Sequence, residues 1–310
     1  MKSVVVRSHG GPEVLELVDV LEGEVGQGQV RIGVHASSIG WIDVSARTGR
    51  LVDSGLLAPA TQVGLGWDVA GTVSEVGPGV ARFTVGEPVI GLRDLLFAPG
   101  AHAESVVLDA SAVATAPRSV SLVEAATLPL NGLTAIQSVD LTSLRRGETL
   151  LVTGAAGGVG GFVLEIARLR GIRTVALARQ SDADLVRGFG AAHVVTEADA
   201  LGSAVRRLIP GGVDAVIDAA NLGITAHNAL RSNGIFVALV RPFAPPPIRG
   251  TTVVVQEVWA DGDRLAELAG LVDAHELTLR VARTFPLADA AEAYTIFEAG
   301  GTRGRIVLQS

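Results

Sequence analysis

The sequence predicts an α/β chain of two lobes, one a doubly wound parallel sheet and the other mostly antiparallel and β-rich. Three observations carry this reading. Residues 148–168 run from a short apolar, β-branched strand through a glycine turn into a helix. Strand-like and helix-like segments then alternate as far as about residue 273, the pattern of parallel strands joined by crossover helices. Before residue 118, short β-rich runs are separated by Gly, Pro and Asp with little helical pattern.

In chain order, the first lobe is expected to hold strands at 3–7, 15–20, 29–37, 68–76, 88–92 and 103–107. The apolar stretch in the first of these is too short for a signal peptide, so it reads as a strand. The parallel sheet is expected from strands 150–153, 173–178, 193–196, 215–218 and 235–240. Residues 242–247, Pro-Phe-Ala-Pro-Pro-Pro, read as a loop. The β-branched run 251–256 reads as an edge strand that invites pairing with a second copy, making a homodimer. A helix at 263–273 is followed by a return to strand, a helix at 287–299 and a strand at 305–309, which rejoin the first lobe. The expected domains are 1–118 with 276–310, and 119–275.

At 310 residues the chain exceeds one ordinary hydrophobic core. A net charge of −7 argues against general affinity for nucleic acid or anionic membrane, and no apolar run reaches transmembrane length. There is no cysteine, hence no disulfide, thiolate zinc site or cysteine nucleophile, and a cytoplasmic location is expected by default. Lys2 is the only lysine, which excludes a Schiff-base mechanism.

The turn Gly154-Ala-Ala156-Gly157-Gly158-Val159-Gly160 has strand before it and helix after it. Such a turn lets the backbone approach a pyrophosphate held at the helix start, so these residues are expected to contact a dinucleotide. The next strand ends at Ala178-Arg179-Gln180-Ser181, where an NAD site would place an acidic residue for the ribose hydroxyl. The fork of Arg179 with the Ser181 hydroxyl suits a 2′-phosphate instead, and no carboxylate intervenes before Asp182, so the expected cofactor is NADP(H). The other reading of Arg179 is a solvated charge at a strand end. Asn221 and Arg241 follow the fourth and fifth strands, whose carboxyl ends border the dinucleotide crevice, and are expected cofactor contacts too.

Seven ordered blocks carry a family resemblance: residues 36–49, 65–80, 82–89, 100–104, 125–135, the Gly154 turn and 301–308. Over essentially its whole length the chain resembles the medium-chain dehydrogenase/reductase superfamily, on its zinc-independent, zeta-crystallin-like quinone oxidoreductase branch. The resemblance implies a GroES-like catalytic domain and a Rossmann NADP-binding domain, with hydride passing from NADPH to a small quinone or α,β-unsaturated carbonyl (enone). Zinc-dependent relatives carry histidine where this chain has Trp67, so no metal is expected. Thr134 resembles the residue packed near the nicotinamide, and Arg303 and Arg305 the basic residue that reaches the cofactor.

Around residues 40–47 the chain departs from its relatives. Many carry Asn at the position of Gly40 and Tyr at that of Ser45, and here both handles are missing. The remaining catalytic candidates are Trp41, Asp43, Ser45 and Arg47. Asp43 also reads as a cap or a partner of Arg47, Arg47 as facing the cleft or not, and Trp41 as pocket wall or core. Tyr294 reads as a packed helix residue and His102 as a surface or satisfied histidine. Two other functions stay open: an enoyl reductase acting on carrier-linked acyl chains, and an NADPH-binding protein with little turnover. Substrate choice is expected from segments 49–63, 92–99 and 242–251.

Overall fold

The computed structural model describes residues 1–94 and 99–310, so residues 95–98 of the expected pocket-wall segment 92–99 lie outside the described residues. The chain opens with β1 (Lys2–Val6), β2 (Leu15–Asp19), β3 (Gln29–Ser38), β4 (Val63–Gly64), β5 (Asp68–Val76), β6 (Pro88–Leu92), β7 (Ser105–Asp109) and β8 (Val113–Thr115). Six strands of a second sheet follow: β9 (Thr149–Thr153), β10 (Arg173–Leu177), β11 (His193–Val195), β12 (Val213–Asp218), β13 (Leu230–Ala238) and β14 (Thr252–Val255). The last two are β15 (Val281–Pro286) and β16 (Arg305–Gln309).

The chain divides into two compact units, residues 1–133 with 259–310 and residues 134–258. Relative to the expected division at 118/119 and 275/276, the helix Gly262–Asp273 goes with the first unit. The reason is packing and capping: it lies against β8, and the Asp273 carboxylate accepts the N–H groups of Arg118 and Ser119, each at 2.8 Å.

The first unit is GroES-like. A small antiparallel sheet has the order β2-β1-β4, and a larger one the order β15-β16-β3-β5-β6-β8, with β7 also on β3. The ten-residue β3 is long enough to pair with β5, β7 and β16 along its length. Among the described residues of this unit, only β15 and β16 run parallel. The strands alternate inward and outward, and Val30, Ile32, Val69, Val73, Val89 and Val106 form one core between them. The two-residue β4 and three-residue β8 are too short for a sequence pattern to reveal.

The second unit is a Rossmann sheet, all parallel, in the order β11-β10-β9-β12-β13-β14. Every residue of β9 is buried, which is why this segment reads as continuously apolar rather than alternating. The run 251–256 becomes the edge strand β14, as its β-branched composition suggests. Strand order reverses between β9 and β12, and the loops leaving these strands meet there: a Cβ on Gly154 would lie 3.1 Å from the Ala219 carbonyl carbon. Such a switch point is where open α/β sheets bind ligands. Among the described residues no helix is long and apolar enough to cross a membrane.

Close backbone approach makes Gly160 irreplaceable. A Cβ there would lie 2.3 Å from the Gly154 carbonyl oxygen and 2.8 Å from the Ala155 Cα, both backbone atoms. Gly160→Ala is expected to destabilise the chain by about 1–3 kcal/mol, read as a lower thermal midpoint. Gly188→Ala, in the helix Ala183–Gly188 with nothing within 4 Å, is expected to hold or raise that midpoint.

Candidate active site

The Rossmann unit supplies a cradle for a dinucleotide. After β9, Gly154 turns with φ +58° and its carbonyl accepts the Gly157 N–H at 2.9 Å. Gly157 then caps the helix Gly158–Leu169 without a side chain, so backbone lines the approach to its positive end. Three further bonds brace the turn from β12. Asp218, 1% exposed, accepts the Thr153 hydroxyl at 2.6 Å and the Gly223 N–H at 2.7 Å, and Thr153 Oγ1 accepts the Ala220 N–H at 2.9 Å. The glycine pattern did not point to this Thr153–Asp218 brace.

Arg179, Gln180 and Ser181 are exposed at the end of β10, whereas Asp182, the first carboxylate after the strand, is buried. Asn221 takes a left-handed conformation, φ +58°, beside the turn. Arg241 is exposed and paired with Glu257. Thr134 is half-buried in the helix Pro129–Thr142.

The GroES-like unit holds a buried polar cluster. Asp68, fully buried at the start of β5, accepts bonds from Ser38 Oγ at 2.5 Å, from the Leu130 N–H at 2.7 Å and from Arg305 Nη2 at 2.6 Å. Arg305 also donates from Nε to Ser38 at 2.9 Å and from Nη1 to Asn131 Oδ1 at 3.0 Å. Its guanidinium is thus committed to protein groups rather than held out for a cofactor phosphate.

Asp43 sits beside this cluster. Its carboxylate accepts the Gly40 N–H at 2.8 Å, closing the first turn of the helix Trp41–Arg47, and the Gly66 N–H at 2.7 Å. Burial pushes its carboxyl up to about 6, against the pull of the two N–H donors, Arg305 and Arg93. Asp43 is therefore a cap and does not pair with Arg47. Arg47 is fully buried, donating to Glu298 at 2.5 Å and to the Gly10 carbonyl at 2.6 Å, so it does not reach a cleft.

His102 and Tyr294 are also fully buried. His102 Nδ1 meets Ser37 Oγ at 2.9 Å and Nε2 meets the Tyr294 hydroxyl at 3.1 Å. Burial, with Arg305 and Arg93 nearby, depresses His102 to about 3, and burial raises Tyr294 well above its usual range. Both fill the core as satisfied polar groups. Ser45 spends its hydroxyl on the Trp41 carbonyl at 3.0 Å, an ordinary helical back-bond. Trp41 is 62% exposed, its ring 4.9 Å from that of Phe297.

Two family models match the chain, one described as an alcohol dehydrogenase GroES-like domain over residues 26–118 and the other as a zinc-binding dehydrogenase over residues 189–308. The mitochondrial NAD(P)H oxidoreductase RTN4IP1 of Mus musculus is 30% identical over 90% of this chain and 81% of its own length. The chain belongs to the medium-chain dehydrogenase/reductase superfamily. Its place is on the quinone oxidoreductase-like branch. A chloroplastic NADPH-dependent alkenal/one oxidoreductase of Arabidopsis thaliana is 28% identical over 99% of this chain and 79% of its own. The solved quinone oxidoreductase of Coxiella burnetii superposes with a TM-score of 0.89 at 28% identity, covering 100% of this chain and 99% of that one.

This member of the superfamily does not fit a zinc ion. It has no cysteine, Trp67 stands under the Arg93 guanidinium at 5.5 Å, and the Asp68 carboxylate is taken by Arg305, Ser38 and a backbone N–H. Among the described residues, no group of three His, Asp or Glu side chains is spaced to hold a metal.

Asp43 and His102 make opposite demands on pH. The folded chain keeps on Asp43 a proton that the unfolded chain releases between 3.8 and about 6, so this contribution to stability falls as pH rises through that window. The unfolded chain protonates His102 below 6.5 and the folded chain only below about 3, so this contribution falls as pH drops. Subtracting the stability–pH curve of Asp43→Asn or His102→Gln from that of the parent chain is expected to give slopes of opposite sign, each up to about 1.4 kcal/mol per pH unit. Chemical denaturation at stepped pH measures both.

Proposed function

We propose that this chain is an NADPH-dependent oxidoreductase that transfers hydride, without a metal, to a quinone or an α,β-unsaturated carbonyl. The observation that carries the cofactor is the end of β10, with Arg179 and Ser181 exposed beside a backbone cradle and the nearest carboxylate buried. The relatives' activities, quinone oxidoreductase and alkenal/one oxidoreductase by name, support the acceptor class.

Bound NADPH supplies the hydride. The backbone of Gly154, Ala156, Gly157, Gly158, Val159 and Gly160 holds the pyrophosphate against the helix start, and the Thr153–Asp218 brace keeps that backbone in place. Arg179 and Ser181 hold the 2′-phosphate, Asn221 and Arg241 the riboses or phosphates, and Thr134 the nicotinamide side; Arg303 is a further cofactor contact. The acceptor's carbonyl oxygen gathers negative charge as hydride arrives, so the protein's task is to align the acceptor and meet that oxygen with a hydrogen-bond donor. The edge strand β14 pairs only with β13 among the described residues, and we place a homodimer contact there. A cysteine-free chain suits the cytoplasm.

NADPH oxidation, followed at 340 nm with 9,10-phenanthrenequinone, a small enone and an acyl-thioester enone, is expected with at least one of the first two. NADPH binding without oxidation by any of the three would overturn the proposal. Arg179→Ala is expected to weaken NADPH by about ten- to a hundredfold and leave NADH nearly unchanged, as loss of charge-assisted bonds to a phosphate requires. Equal weakening of both nucleotides would remove Arg179 from the 2′-phosphate site.

A further inference from the structure

We infer that the side-chain amide of Asn131 is the donor that meets the substrate's carbonyl oxygen, with Arg305 as its positioning residue; this rests on the hydride-transfer reading above. Asn131 is 6% exposed near the start of the helix Pro129–Thr142. Arg305 Nη1 donates to it at 3.0 Å, and a guanidinium can only donate, so the amide oxygen faces Arg305 and the NH2 group faces away. Among the described residues, nothing accepts from that NH2 group. That NH2 group is not sealed from solvent, so a carbonyl ligand can take the place of water on it.

The surroundings fix this donor. Arg305 cannot swing away, because Asp68 and Ser38 hold its other nitrogens, and Asp68 in turn holds the N–H of Leu130, the residue before Asn131. Gly40 contributes no side chain beside the guanidinium. The nearest atoms to a Cβ there would be the Leu130 Cδ2 at 3.1 Å, the Asp43 Oδ2 at 3.5 Å and the Arg305 Nη2 at 3.7 Å, so a side chain at residue 40 stands beside the guanidinium once the Leu130 side chain gives slightly. The neighbouring hydroxyl of Ser45 is already spent on the Trp41 carbonyl.

Charge selects the ligand. Asp68 neutralises Arg305 at 2.6 Å, so the cluster offers no net positive charge for a carboxylate or phosphate. It offers a polarised amide, strengthened as a donor by the guanidinium on its oxygen, which suits a neutral carbonyl that becomes an enolate. As hydride adds to the β-carbon, the double bond shifts, the electron pair reaches the carbonyl oxygen, and the Asn131 N–H holds the enolate until water protonates the α-carbon. Thr134 lies three residues further along the same helix, on the same face.

The test compares Asn131→Leu, which keeps the size and removes the donor, with Asn131→Ala for the case that leucine disturbs packing. With a small enone, kcat is expected to fall about a hundredfold, as for loss of one oxyanion donor, while the NADPH Kd is unchanged. Adding Gly40→Asn to Asn131→Leu returns an amide beside the same guanidinium and is expected to restore part of kcat. Binding of p-nitrophenol, whose anion mimics the enolate, gives a readout without turnover: the parent chain lowers the pKa of the bound dye and Asn131→Leu does not. Unchanged kcat and unchanged dye pKa in a folded Asn131→Leu would overturn the assignment. If none of the three acceptors supports NADPH oxidation by the parent chain, the hydride-transfer reading fails, and the dye titration still decides the donor.

Discussion

The ion pair between Asp68 and Arg305 is the constraint on which the GroES-like unit depends. Two charges taken out of water are costly, and their attraction offsets the cost only when every remaining donor and acceptor is satisfied. Here that condition is met by four segments at once: β5 brings Asp68, β16 brings Arg305, the end of β3 brings Ser38, and the helix Pro129–Thr142 brings the Leu130 N–H and Asn131. None of the four can shift without leaving a buried charge uncompensated. The pair therefore sets the place of the helix start, the most interesting surface of this unit.

A second layer of buried polar groups surrounds it. Asp43 ties Gly40 to Gly66, His102 ties Ser37 to Tyr294, and Arg47 ties Gly10 to Glu298. Each bridges segments far apart in sequence. Together they explain why side chains that look like acids, bases and anchors in the sequence are spent on holding loops together. Chemistry falls instead to an amide whose partner leaves half of it free.

The Rossmann unit was legible because its signals are local. A buried strand, a glycine turn, a helix start and the first residues after the next strand lie within about 30 residues, the span of one βαβ unit, and their order alone implies the ligand. The edge position of 252–255 was legible for the same reason, since β-branched composition is a property of the segment itself. The polar cluster was not legible. Nothing near Arg305 in sequence says that it will meet Asp68, and Asn131 sits inside an apolar block where its neighbours are read as packing. The contact of Asp43 with Gly66, and the absence of one with Arg47 four residues on, likewise depended on where the Gly66 loop folds.

The parallel pairing of β15 with β16, and the pairing of β16 with β3, carry a consequence for how the chain acquires its structure. Residues 36–38 of β3 wait for residues 307–309, so the GroES-like unit closes only after the whole Rossmann unit has been synthesised and can already have folded. Contacts of such long range are slow to form, and until then the end of β3 stands unpaired and the Asp68 carboxylate lacks the Arg305 guanidinium. Biogenesis of this protein is thus expected to be limited by one late strand, and the gap that strand will fill is an open sheet edge on the nascent chain.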